Sequence, residues 1–340
     1  MFSRFSICLI LVSVITSAQA LVWPTANTAF VEGKGIESFV QATVSGNPTS
    51  GLYGCVRNDG EKFHEGLDLF GLKRGKDFEA LDSIYSVLPG RVVYINEASS
   101  RSSYGRYLVI EHKDIGVTFY SLYAHLHSVD PSVHLGSQLK EGQRIARMGR
   151  TAGGYTIPNE RAHLHFELGL KLSDNFQSWY DSKDFDSKNW HSNWNGMNLI
   201  GVDPLDFYKA VQAGSIRSFA EYLGQLKARV KVQVRFNGTP SFLAENSKFL
   251  KNHSLKDSEI VGWNLTFSKY GVPNLWEPIS QEGLRLKAGQ RIAIIAYNKK
   301  ELDQDCCALF LNKNGVIRPS NLLISNIEKL LIRSLPSGLF

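Results

Sequence analysis

Three short stretches of the chain carry side chains able to hold a metal ion or move a proton. Arg161-Ala162-His163-Leu164-His165-Phe166-Glu167 alternates polar and apolar residues, the pattern of a half-buried β-strand. Successive strand side chains point to opposite faces, so His163, His165 and Glu167 share one face and Leu164 and Phe166 the other. Two neutral imidazoles on a rigid strand are a platform for a metal, or simply two polar residues on a half-exposed face. Phe63-His64-Glu65-Gly66-Leu67-Asp68-Leu69-Phe70 sets a histidine and an aspartate four residues apart. Gly66 and the flanking turn residues argue for an extended or looped segment, where an even separation keeps His64 and Asp68 on one face. Such a pair is a competent set of zinc ligands, or a surface histidine beside an ordinary carboxylate. Tyr123-Ala124-His125-Leu126-His127 again alternates two histidines, here at the end of an apolar strand.

The elements that must position these residues read as short strands and turns. Residues 83–88, 91–95, 107–111 and 117–123 are apolar and β-branched, with Pro89-Gly90 and Lys113-Asp114-Ile115-Gly116 between them. Residues 135–146 read as a further strand pair round a glycine turn. No helical period competes, so this part is expected to be antiparallel β. Of the 9 histidines, His64, His112, His125, His127, His134, His163 and His165 fall in this region. His112 and His134 sit in ordinary strand or turn contexts, and His191 and His253 are isolated. All four are expected to be structural.

Taken in order, these pieces resemble the lysostaphin-type (LytM-like) zinc metallopeptidases, which cut the peptides of bacterial peptidoglycan. The matching elements are His64-Glu65-Gly66-Leu67-Asp68, Pro89-Gly90-Arg91-Val92 and Tyr104-Gly105-Arg106-Tyr107. Tyr123-Ala124-His125-Leu126, Gly142-Gln143-Arg144-Ile145-Ala146 and His163-Leu164-His165-Phe166-Glu167 complete the set, which covers roughly residues 50–170. The resemblance implies one zinc ion (Zn2+) per chain, held by His64, Asp68 and His165 with a fourth position left for water. It implies His125 and His163 as the catalytic histidines lining the site, without deciding which is the base. It assigns nothing to His127. Glu167 is a candidate for orienting an imidazole ligand. The resemblance also implies a mainly β fold, with an antiparallel β-sheet catalytic domain of lysostaphin/LytM-like type, and the residues after it read as a smaller β-rich C-terminal domain.

Residues 1–20, with Arg4, the apolar run Ile7–Ile15 and Ala18-Gln19-Ala20, read as an export signal, too short in its apolar part to span a bilayer. The expected location is periplasmic or extracellular, with no stable membrane insertion after cleavage. The formal charge of +6 falls to +5 when the leader, with one arginine and no acid, is removed. That suits an anionic wall but is too small to argue for nucleic acid. Cys55, Cys306 and Cys307 lack zinc-finger spacing and read as structural, with one of the adjacent pair able to join Cys55. Residues 22–60 look non-chemical and are expected to wrap the surface.

The expected domains are a metallopeptidase domain over 21–212 and a β-rich accessory domain of unassigned role over 213–340. An aromatic insertion at 175–198 is either a packed loop or a wall of the substrate groove. Asp203-Pro204 is expected to open a helix, 229–236 and 291–297 to be strands, and Asn314-Gly315 to turn a hairpin. The expected function is that of an exported zinc metalloendopeptidase acting on peptidoglycan peptides. Two alternatives are a catalytically inactive scaffold that activates a wall amidase and an extracellular peptidase for glycine-rich proteins. The intact set His64, Asp68 and His165 weighs against the first.

Overall fold

The computed structural model of the chain describes residues 21–299 and 306–332, so the expected leader lies outside the described residues. Among the described residues no helix is long and apolar enough to cross a membrane. The fold is mainly antiparallel β. Strands β1 (Gly54–Arg57) and β2 (Lys62–His64) form a hairpin, followed by β3 (Leu67–Phe70), β4 (Ser83–Tyr85) and β5 (Gly90–Asn96). Strands β6 (Tyr107–Asp114) and β7 (Val117–Ala124) make a long hairpin. Then come β8 (Ser128–Val129), β9 (Gln138–Leu139), β10 (Arg144–Arg147) and β11 (His163–Lys171). The main sheet runs β11-β7-β6-β5-β9, with β3 paired to the first half of β11 and β12 (Leu199–Val202) to the second.

The alternation of β11 sorts its two faces as the sequence analysis expects. Leu164, Phe166 and Leu168 are fully buried in the main core with Leu67 and Leu69 of β3. Each such side chain contributes about 1.5–3 kcal/mol by leaving water. His163, His165 and Glu167 point the other way. That face continues across β7 and β6 as Ala124, Leu122, Tyr120, Val109 and Tyr107. The register sets His165 directly opposite Asp68, so the two side chains are cross-strand neighbours on one face. Between His64 and Asp68 the chain breaks at Glu65-Gly66 and passes so close to β11 that a Cβ on Gly66 would lie 2.4 Å from the Phe166 carbonyl oxygen. Only glycine permits that approach.

Several expectations are corrected. Residues 22–60 are not a surface wrapping: Trp23, Phe30 and Phe39 are buried and pack with Tyr208. Val40 bridges to Leu69, which covers the outer edge of β3. Residues 135–146 do not form a strand pair: β9 joins β5 while β10 joins β4 and β8 in a separate sheet. With only two residues, β9 has too few rungs to fix a partner locally, so tertiary pairing decides. Strand β7 ends at Ala124, and His125 takes a left-handed conformation with φ 59°. The expected shared face of His125 and His127 is therefore lost.

The insertion packs. Helix α1 (Phe176–Asp181) buries Phe176, Trp179 and Tyr180, and Trp194 covers the Tyr107–Tyr120 face. Beyond it, α2 (Pro204–Gln212) starts at the expected place, with the Asp203 carboxylate accepting from the Leu205 and Asp206 amides. Helix α3 (Phe219–Gln225) stacks Phe219 on Phe119 at 4.1 Å. Strands β13 (Val230–Arg235), β14 (Gly262–Phe267), β15 (Pro273–Ile279) and β16 (Ile292–Tyr297) form a sheet in the order β15-β14-β13-β16, with the short helix α4 (Phe242–Glu245) between β13 and β14. Strands β17 (Phe310–Lys313) and β18 (Val316–Pro319) form the expected hairpin. The sequence analysis did not anticipate α5 (Asn321–Leu331), whose Glu328 accepts from Trp179 Nε1 at 3.0 Å. A disulfide joins Cys55 to Cys306.

Candidate active site

Three atoms from three strands converge. His64 Nε2 lies 3.1 Å from Asp68 Oδ1 and 3.0 Å from His165 Nδ1, and His165 Nδ1 lies 3.0 Å from Asp68 Oδ1. All three residues are buried. Their outer partners decide where the protons sit. His64 Nδ1 is 2.7 Å from the Leu52 carbonyl oxygen. A carbonyl only accepts, so Nδ1 carries the hydrogen and Nε2 presents a lone pair. His165 Nε2 is 2.9 Å from Glu167 Oε1 and donates to it, so Nδ1 presents a lone pair. Glu167 is itself fixed by the hydroxyls of Tyr104 (2.6 Å) and Tyr120 (2.9 Å). Burial and the nearby Glu167 charge keep both phenols well above the ordinary tyrosine pKa, so they stay donors.

Asp68 faces the same point. Its Oδ2 accepts from Arg57 Nη2 at 2.6 Å, which turns Oδ1 toward the two ring nitrogens. Burial alone would raise the Asp68 pKa. When their rings are protonated, His64 and His163 by charge and His165 and His64 by hydrogen bonds outweigh it and hold the carboxyl well below the ordinary range. Burial likewise opposes an imidazolium at His165, but hydrogen bonds and charge from Asp68 and Glu167 push that ring up to about 10. Without a metal, the His165 pair therefore keeps a proton. A His165 ring protonated at Nδ1 has one hydrogen to share between two acceptors, Asp68 Oδ1 and His64 Nε2, each 3.0 Å away. The raised value and the lone-pair geometry describe one demand, for positive charge at that point. Two imidazole nitrogens and one carboxylate oxygen are a donor set that fits zinc with a position left open.

The site residues expected from sequence are thus brought together, with two more histidines beside the triad. His163 Nδ1 donates to the Arg161 carbonyl at 2.8 Å, and its Nε2 stands 3.6 Å from Asp68 Oδ2. His125 Nδ1 donates to the Thr151 carbonyl at 2.8 Å, and its ring centroid is 4.9 Å from that of His163. Burial lowers both pKa values, that of His125 well below the ordinary one, and keeps the rings neutral at pH 7. They line a cavity of about 310 Å³ with Thr43, Arg57, Lys62, Phe63, Glu65, Tyr104, Tyr155 and Arg161. None of residues 175–198 lines it, so the insertion acts as packing here, with Trp190 half exposed between Arg101 and Lys188 and Phe185 and Met197 also exposed.

Sequence reasoning missed Arg57, Tyr120, Thr151 and Tyr155, and gave Tyr104 no role. Arg57 stands in a stretch that reads as turn, and nothing local links it to Asp68. His127 is exposed and outside the cavity. His112 is buried between the Pro89 carbonyl and Ser121 hydroxyl, and burial brings it to about 4. His191 bonds Tyr94 and the Arg101 carbonyl.

A zinc-containing peptidase from Vibrio cholerae is 32% identical over 31% of this chain and 26% of its own, with a TM-score of 0.23. The catalytic domain of the antimicrobial peptidase lysostaphin from Staphylococcus simulans is 21% identical over 47% of this chain and 87% of that one, with a TM-score of 0.29. Helicobacter pylori Csd3 is 21% identical over 44% and 30% of the two chains, with a TM-score of 0.27. The matched region thus spans about a quarter of the Vibrio cholerae protein and under a third of the Helicobacter pylori one. Among curated proteins none matches. Residues 62–176, the stretch that holds His64, Asp68, His125, His163 and His165, match the sequence model of peptidase family M23.

Proposed function

We propose that the chain is an exported zinc metalloendopeptidase that hydrolyses peptide cross-links of bacterial peptidoglycan. The observation that carries the reading is the convergence of His64 Nε2, Asp68 Oδ1 and His165 Nδ1, each with its lone pair set by a partner behind it. These three atoms would hold the metal. Zinc held there supplies Lewis acidity, polarising a carbonyl and bringing the pKa of a water down to about 7.

The remaining steps belong to the side chains. His163 and His125 are neutral, anchored through Nδ1–H, and present Nε2 to the cavity. Each can accept a proton from the attacking water and return it to the departing amine. Their anchors are backbone carbonyls, so each ring is oriented without a second titrating group. The left-handed backbone at His125 is the kind of local strain that persists where a side chain must be aimed. Export is read from residues 1–20 and peptidoglycan from the resemblance and the mild positive charge.

Purified peptidoglycan incubated with the zinc-loaded chain is expected to release peptides, and a chelator to stop the release. Absence of release at full zinc loading would contradict the substrate assignment. His125→Ala should keep its zinc while kcat falls about 10²–10⁴-fold. A parental rate would make His125 a packing residue. Arg57→Ala should weaken zinc affinity about 10–100-fold, measured by competition with a chelating dye. Unchanged affinity would show that Asp68 needs no support. A metal bound there would have to displace the proton that Asp68 and Glu167 help His165 hold up to about pH 10. Apparent affinity should therefore rise with pH, by up to about tenfold per unit between pH 6 and 9. A flat profile would contradict the raised imidazole.

A further inference from the structure

Tyr155 and Ile157 line the catalytic cavity on one side and a second cavity, of about 320 Å³, on the other. Glu79, His127, Arg150 and Thr151 also line this second space. Arg150 is held in place there: its Nε donates to Glu79 Oε1 at 2.7 Å and its Nη1 to the Ile157 carbonyl at 3.2 Å. Its side chain is 36% exposed, so the guanidinium remains accessible.

The charges around this space favour an anion. Arg106 Nη1 donates to the His127 carbonyl at 2.9 Å. Burial, then the charges of Arg147 and Arg106, keep the His127 ring below its ordinary pKa against the pull of Glu79. Arg150 is the guanidinium in the lining of this space, Arg106 and Arg147 add positive charge beside His127, and the one carboxylate in the lining, Glu79, is already paired. A planar guanidinium fork matches a carboxylate better than any other side chain does.

The second cavity is also joined to the catalytic machinery. Thr151 in its wall holds His125 through its carbonyl, and its hydroxyl donates to the Leu126 carbonyl at 2.9 Å. The Tyr155 ring lies 6.4 Å from the His125 ring. An extended peptide covers about 3.3–3.6 Å per residue, so roughly two residues lead from His125 as far as Tyr155, the wall between the two cavities.

We propose that this second cavity is a substrate subsite in which Arg150 binds a free carboxylate carried at least two residues from the scissile bond. The inference rests on the peptidase reading of the metal centre and narrows its substrates to peptides with an unamidated carboxyl group near the cut. Glu79 is a positioning residue that holds the guanidinium and also competes with the incoming carboxylate.

The test uses a soluble cross-linked peptidoglycan peptide with its carboxylates free, and the same peptide with them converted to primary amides. Cleavage is followed with the zinc-loaded chain, and binding to zinc-loaded His125→Ala by titration calorimetry. The free-carboxylate peptide should be favoured about tenfold in both kcat/KM and affinity, the scale of a partly exposed charged hydrogen bond. Arg150→Gln should remove the preference by lowering only the free-carboxylate values, and Glu79→Gln should enlarge it. Equal binding of the two peptides, or a preference that survives Arg150→Gln, would overturn the subsite. A preference in binding that depends on Arg150, with neither peptide cut, would retain the subsite and overturn the peptidase reading instead.

Discussion

The structure depends on one constraint: two imidazole nitrogens and a carboxylate oxygen, all buried, must stay within about 3 Å of each other with their lone pairs inward. Such a cluster repels itself unless a positive charge sits at its centre. Everything close to it serves to hold that arrangement. The Leu52 carbonyl and Glu167 fix the two ring protons outside, and Tyr104 and Tyr120 fix Glu167. Arg57 turns Asp68, and Gly66 lets the ligand-bearing loop lie against β11. The strand pairing sets His165 opposite Asp68 before any side chain is chosen.

From that constraint the wider architecture follows. The apolar face of β11 is buried in the main core, so its polar face cannot slip in register without exposing Leu164 and Phe166. The far half of the polar face is covered by Trp194 from the insertion, which leaves the cavity only at the end where the histidines stand. Helix α5 and the disulfide from Cys306 tie the last part of the chain to the insertion and to β1, the strand that carries Arg57. With Phe219 stacked on Phe119 of β7, the described residues after 213 thus share packing with the sheet that carries the site.

Much of this was legible where the chemistry is local. The alternation through His163-Leu164-His165-Phe166-Glu167 gave the correct faces, and Asp203-Pro204 opened a helix as its capping chemistry requires. The ordered motifs supplied the grouping of His64, Asp68 and His165, which spacing alone left open. What stayed hidden depends on distance in sequence. Tyr104 meets Glu167 across 63 residues, and Arg57 meets Asp68 only through the hairpin of β1 and β2. Alternation misled at His125 and His127 because the strand ends at Ala124 and His125 itself is left-handed. It could not tell packed tryptophans from a groove wall in 175–198, since burial of Trp179 depends on Glu328 and α5.

The most direct test of the central claim is metal analysis of the purified chain combined with X-ray absorption at the zinc edge. The account predicts about one zinc per chain, bound by two imidazoles and oxygen ligands at roughly 2.0–2.2 Å, with no sulfur. Cys55, Cys306 and Cys307 are the other grouping of potential ligands among the described residues, and they could bind metal only if the Cys55–Cys306 disulfide were reduced. A sulfur-bound zinc, or a chain that holds no zinc after reconstitution, would contradict the convergence of His64, Asp68 and His165 as a metal centre.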